Sequence, residues 1–363
     1  MRLHLTSYAL LLCLAAGMCA GTAPAADKLV SDRNAAHKFA TLPDGVRFPE
    51  GIAANPATGE VYVATFDFQQ PNKLLRYSRD GRLLAVRDFG VEPLLGLAFS
   101  NGHVYIANVG NLNGAGPARI QRIAAGFDSA TPLVNVAVLP SIGAPANRIS
   151  GNPDGSSDTI IFGSNLAPAP NAMAFDAGGN LYVSDSFQGA IFRINNATTC
   201  ATPCPVVTVK HDPLLATAGF PPFGANGIAL NAAGSALFVA NTGDDTILML
   251  DIASNVLSGF AQSINGADGI AFDGQGRLWV AANQGDEVVA LNGSGRVIAR
   301  LGEFQGINHD GTPDGLLFPA SLAIVGDDMY VTNLALPLTP AVGDEPEEDV
   351  TRWTVSRIKL PGR

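Results

Sequence analysis

The strongest constraint on this chain is one short pattern written six times. Its first copy is "FPEGIAANPATGEVYVAT", residues 48 to 65. The others are "LLGLAFSNGHVYIAN" from Leu94, "PNAMAFDAGGNLYVSD" from Pro170, "ANGIALNAAGSALFVAN" from Ala225, "ADGIAFDGQGRLWVAA" from Ala267 and "PASLAIVGDDMYVTN" from Pro319. Each copy has a small apolar strand, a turn rich in Gly, Asp or Asn, and a second strand built on aromatic-Val/Ile-Ala/Ser/Thr. With Glu50, Leu95, Asn171, Asn226, Asp268 and Ala320 as the equivalent position, successive copies lie 45, 76, 55, 42 and 52 residues apart. β units of about 40 to 50 residues are the blades of a propeller. Helical periodicity is nearly absent, so the pattern predicts an all-β, six-bladed β-propeller.

Blade five shows four strands, "GIAFD", "LWVAA", "EVVALN" and "VIARL", whereas blade six shows three. Its fourth is expected from "HKFATL" near the N-terminus, which would close the ring and remove an open sheet edge. One propeller domain over residues 27–363 follows. The 40 Gly and 24 Pro suit its many turns, and 15% charged against 47% apolar residues argues against disorder. Between blades two and three, the long "SIGAPANRISGNPDGSSDTIIFGSNLAPAP" is the natural candidate for a lid over one mouth.

Residues 1–26 read as a signal peptide, not as part of the fold. Arg2 precedes an apolar run over residues 8–20, and Ala23-Pro24-Ala25 supplies the cleavage signal. The product is expected to be exported, periplasmic or extracellular, with no membrane contact after cleavage. Cys13 and Cys19 leave with the signal. That leaves Cys200 and Cys204 in "CATPC" to close a small disulfide loop, since no His or third Cys lies nearby to complete a metal site. A net charge of -10 speaks against nucleic acid, whose phosphates need a basic face.

In a propeller the innermost strands line the axis and begin near one mouth. The repeat therefore puts Glu50, Asn171, Asn226 and Asp268 in one ring. Two carboxylates and two carboxamides offer only oxygen ligands, which suits a hard divalent cation such as Ca²⁺. The opposing reading is that Asn226-Gly227 and Asp268-Gly269 are ordinary turn dipeptides beside a water-filled tunnel. A second column ends the next strand: Thr65, Asn108, Asp185, Asn241, Ala282 and Asn333. Of these, Asn108, Asp185 and Asn241 are candidates to orient a small-molecule substrate, as is His309 in "NHDGTPDGLLFP". The acidic "GDEPEEDV" reads as a solvated insertion in blade six. There is no Ser or Cys nucleophile motif beside a His, and no Gly-rich dinucleotide loop.

"PEG" at residues 49–51, "PNAMAFD" at 170–176 and "DGIAFDGQGRLWVA" from Asp268 resemble the gluconolactonase family that includes regucalcin, and more distantly the paraoxonases. The resemblance implies that Glu50, Asn171 and Asp268 bind a catalytic divalent cation, usually calcium, with Asn226 matching a further Asn ligand of the paraoxonases. Leu95 stands where paraoxonases place a catalytic His, and Gly51 and Ala172 stand where they carry ligands for a second calcium. One metal and one acidic base, Asp268, is the arrangement that transfers. The implied activity is metal-dependent opening of a lactone or related ester. Two other uses of the scaffold stay open at this point: a secreted propeller that only binds a ligand or protein, and a lyase or strictosidine-synthase-like enzyme.

Overall fold

A computed structural model describes residues 29–110, 117–163, 167–339 and 341–362; the expected signal peptide lies outside them. Six sheets of antiparallel strands form the blades. Their inner strands are Pro49–Ala54, Leu94–Ser100, Pro170–Phe175, Ala225–Leu230, Ala267–Phe272 and Pro319–Val325. These pack in chain order round the axis, and the sixth returns to the first. Second strands such as Val61–Thr65 and Leu278–Ala282 are buried along their whole length, and those of blades two and six at all but their first residue. A strand covered on both faces by neighbouring blades reads as a continuous apolar run, and these do.

Closure is as the sequence predicts. Ala36–Thr41 pairs antiparallel with Thr354–Lys359 and becomes the outer strand of blade six. A second N-terminal strand was not anticipated: Val30–Asp32 runs parallel to Val297–Leu301 on the outer edge of blade five. The N-terminal segment thus ties two blades together. Six apolar clusters fill the six spaces between blades, for example Tyr62, Leu74, Ile106 and Phe127 between the first two. A separate disulfide joins Cys200 to Cys204 in the outer hairpin of blade three.

One detail of register recurs in every blade. Pro49 pairs with Thr65 and Ile52 with Val63, so two inner-strand residues face one partner. The same shift follows Leu94, Pro170, Ala225, Ala267 and Pro319. A β-bulge of this kind bends a strand and re-aims a side chain. The bulged residues are Glu50, Leu95, Asn171, Asn226, Asp268 and Ala320, the positions aligned from sequence. This explains why carboxylates and amides sit at the start of otherwise apolar strands: the bulge turns them towards the axis.

The residue after each bulge touches the next blade. A Cβ on Gly227 would lie 2.2 Å from the backbone oxygen of Asp268, and one on Gly51 would lie 2.1 Å from that of Leu95. Only glycine fits such an approach without moving the neighbouring ring residue. Gly227→Ala is therefore expected to destabilise the protein by about 2–3 kcal/mol through overpacking. Gly274→Ala, where an added methyl meets nothing, should stay within about 0.5 kcal/mol. Urea denaturation of both variants checks this, and equal midpoints would contradict it.

Candidate metal centre

The bulges bring Glu50, Asn171, Asn226 and Asp268 to the wall of one cavity at the mouth of the ring. All four are buried, each at most 5% exposed. The cavity holds about 40 Å³, room for roughly three water-sized occupants. Two of its carboxylate oxygens, Glu50 Oε2 and Asp268 Oδ1, are buried without any hydrogen-bond donor, as is the amide oxygen of Asn283. Orphaned carboxylate oxygens are costly, because buried polar atoms are nearly always paired.

The remaining atoms of the ring are held with care. Asn171 Nδ2 donates to Ser186 Oγ at 3.0 Å, and Ser186 Oγ donates on to the carbonyl of Ala225 at 2.8 Å. Asn226 Nδ2 donates to Thr242 Oγ1 at 2.9 Å, which donates to the carbonyl of Ala267 at 2.7 Å. Asn283 Nδ2 donates to Asp268 Oδ2 at 3.0 Å. With one amide nitrogen or carboxylate oxygen tied back in this way, each side chain has its other oxygen turned from the tether. Thr332 Oγ1 also donates to the carbonyl of Glu50 at 2.7 Å, fixing that residue from blade six.

Burial pushes the Glu50 carboxyl well above the usual carboxylate range, and the charge of Asp268 adds to the effect. Burial likewise pushes Asp268 up to about 7, opposed by the hydrogen bond from Asn283. Two neighbouring carboxyls that both resist ionisation, chiefly because of burial, are what a divalent cation would relieve. The donor set, all oxygen with two formal negative charges, fits Ca²⁺. Among the described residues no three His, Cys, Asp or Glu converge, so any ion here relies on the two carboxamides as well.

Other candidates fall elsewhere. Asn108 Nδ2 donates to Glu92 Oε2 and Gln121 Oε1, while its oxygen accepts from Gly110 N. Asp185 accepts from the backbone of Ala169, Phe187 and Gln188 and from Gln188 Nε2. Asn241 Nδ2 donates to the carbonyls of Leu214 and Ala216. These side chains turn into the blades and brace loops, and none lines the cavity. His309 is exposed on a hairpin and lines a separate hollow with Lys38 and Asp310.

Nor do the described residues of the long insertion roof the mouth. Its strands Arg148–Gly151 and Ser157–Ile160 form a hairpin, anchored to blade four by Arg148 Nη1 and Asp244 Oδ2 at 2.7 Å. None of its described residues lines the cavity; Pro221, Phe223, Leu334, Leu336 and Leu338 do. The acidic run has a structural part here, since Glu345 Oε2 accepts from the backbone of Leu338 and Thr339.

The family described as "SMP-30/Gluconolactonase/LRE-like region" matches residues 169–302, a span that holds Asn171, Asn226 and Asp268. Over that span the chain is similar to this family. Solved structures extend the likeness to the whole ring. A luciferin-regenerating enzyme is 15% identical, with a TM-score of 0.59, over 88% of this chain and 93% of its own. A calcium-binding protein, regucalcin, from Agrobacterium tumefaciens is 16% identical, also at 0.59, over 92% and 97%. A putative gluconolactonase is 17% identical at 0.57, again over 92% and 97%. At such identities these three speak for a shared fold. No curated protein matches the chain. The gluconolactonase- and regucalcin-like resemblance read from the sequence is borne out, and Glu50 joins the matched residues through ring geometry alone.

The site also predicts a pH dependence for the metal-free protein. The folded state keeps a proton on Asp268 up to about pH 7, while an unfolded Asp releases it near pH 4. The native state then binds more protons in that window, so stability falls as pH rises from about 4 to 7. The melting temperature of chelator-treated protein should drop from pH 5 to pH 8, and Asp268→Asn should flatten the slope. A melting temperature that rises over that range would contradict the assignment.

Proposed function

We propose that this chain is an exported, calcium-dependent hydrolase that opens a lactone or related ester at the ring. The observation that carries the reading is the pair of donor-less oxygens, Glu50 Oε2 and Asp268 Oδ1, facing one cavity beside two tethered carboxamides. Family likeness supports it, through the SMP-30/gluconolactonase match and the calcium-binding neighbour. The signal-like residues 1–26 and the Cys200–Cys204 disulfide support export, because disulfides persist in oxidising compartments.

Glu50 Oε2, Asp268 Oδ1 and the amide oxygens of Asn171 and Asn226 would hold the ion. When bound, it supplies Lewis-acid polarisation of the substrate carbonyl and stabilises charge developing on its oxygen. Ser186 and Thr242 keep the two amides in register, so the oxygens need no reorganisation during turnover. Asp268 acts as general base as well: Asn283 fixes the carboxylate through Oδ2, and the lone pair of Oδ1 not directed at the ion takes a proton from the attacking water. The apolar wall of Phe66, Phe223 and Leu334 keeps bulk water from the reacting centre and strengthens each electrostatic contact.

Asp268→Asn conserves size and keeps an oxygen towards the cavity, while removing the base. Turnover of any active lactone should fall by about 10²–10⁴-fold, with calcium still detectable in the protein by mass spectrometry. Full turnover in a calcium-containing variant would overturn the base assignment.

A further inference from the structure

The mouth of the ring is divided by chemistry. Every polar group lining the cavity is either a ring residue or a side chain that holds one. Thr242 is engaged with Asn226 and Ala267, and Asn283 Nδ2 with Asp268. Asn283 Oδ1 is the orphaned acceptor that remains among these holders. Hydroxyls of a substrate that reach into this mouth would therefore meet the apolar wall of Phe66, Leu95, Phe223, Phe318, Leu334 and Leu336. Burying a hydroxyl without a partner is unfavourable, which selects against it.

The cavity is also too small for an organic substrate, which needs at least about 300 Å³. Next to it lies a groove of about 320 Å³. Phe66 and Leu336 belong to both walls, so the groove continues the cavity outwards. Arg47 and Asp67 line this groove, but they neutralise each other: Nε to Oδ2 is 2.8 Å and Nη2 to Oδ1 is 3.0 Å. The Arg47 guanidinium also lies 4.9 Å from the centre of the Phe48 ring. At the rim, Phe68 is 62% exposed and packs edge-on against Phe66 at 4.7 Å. An exposed aromatic that leads to a buried one, along a groove with no unpaired charge, suits hydrocarbon.

We propose that the substrate is an uncharged lactone or ester carrying a hydrocarbon chain, not a sugar lactone. Its carbonyl sits at Glu50 and Asp268, and its chain runs between Phe66 and Leu336 into the groove beside Phe68. Phe66 and Leu336 set the specificity. The cleavage part of this statement rests on the hydrolase reading above, whereas the binding part does not.

The test uses γ-lactams with γ-alkyl chains of increasing length, which keep a cyclic carbonyl but resist opening. Calorimetry on the mature protein with calcium present should give affinity rising about fourfold per methylene until the groove is filled. Leu336→Asn, at a partly exposed position, should flatten that rise, and a polyhydroxylated lactam should bind weakest. Affinity independent of chain length, no binding of any lactam, or tightest binding of the polyhydroxylated one would each overturn the proposal. Turnover of the matching lactones separates the two readings. Chain-dependent lactam binding with no lactone opened would sink the hydrolase and leave the hydrocarbon groove standing.

Discussion

The structure depends on a two-residue bulge placed at the same point of six inner strands. A regular strand would send alternate side chains into the spaces between blades, where a carboxylate could not be tolerated. The bulge breaks the alternation once per blade, and the broken position faces the axis. The following small residue then lets the next inner strand approach, as at Gly51, Gly96, Gly227 and Gly269. Fold and site thus share a cause. The contact that closes the ring backbone also sets the spacing of the residues that face its centre.

Around that ring the protein divides its polar groups unequally. Blades three, four and five supply Asn171, Asn226 and Asp268, each tethered by the residue that follows its second strand: Ser186, Thr242 or Asn283. Blades one, two and six place Phe66, Val109 and Leu334 at that same position, all buried in apolar clusters at the mouth. Glu50 alone brings a charge to the apolar side, with one oxygen left without a donor. A compact set of oxygens facing a dry wall is a place where an electrostatic interaction is strong.

Repetition made the ring legible: four polar residues in one aligned column could be found without coordinates. So could blade number and the closing strand, because both follow from counting strands per repeat. The bulge was not legible, since its two residues look like an ordinary strand start. That omission misdirected the reading of Asn108, Asp185 and Asn241, which share a strand end with the site yet turn into their blades. Ser186, Thr242 and Asn283 carried a usable signal. They are polar only in the three blades that also carry Asn171, Asn226 and Asp268, one residue beyond the column chosen. The apolar roof carried none, because Pro221, Phe223, Leu336 and Leu338 come from loops outside the repeat. Length alone suggested the insertion before Asn171 as a lid, and length does not fix where a hairpin docks.

The central claim is that the ring oxygens exist to hold a divalent cation. Its most direct test is the metal content of the purified protein by mass spectrometry, beside a Glu50→Ala/Asp268→Ala variant. The account predicts close to one calcium per chain in the wild type and none in the variant. Calcium retained by the variant, or absent from both after calcium is supplied, would contradict it.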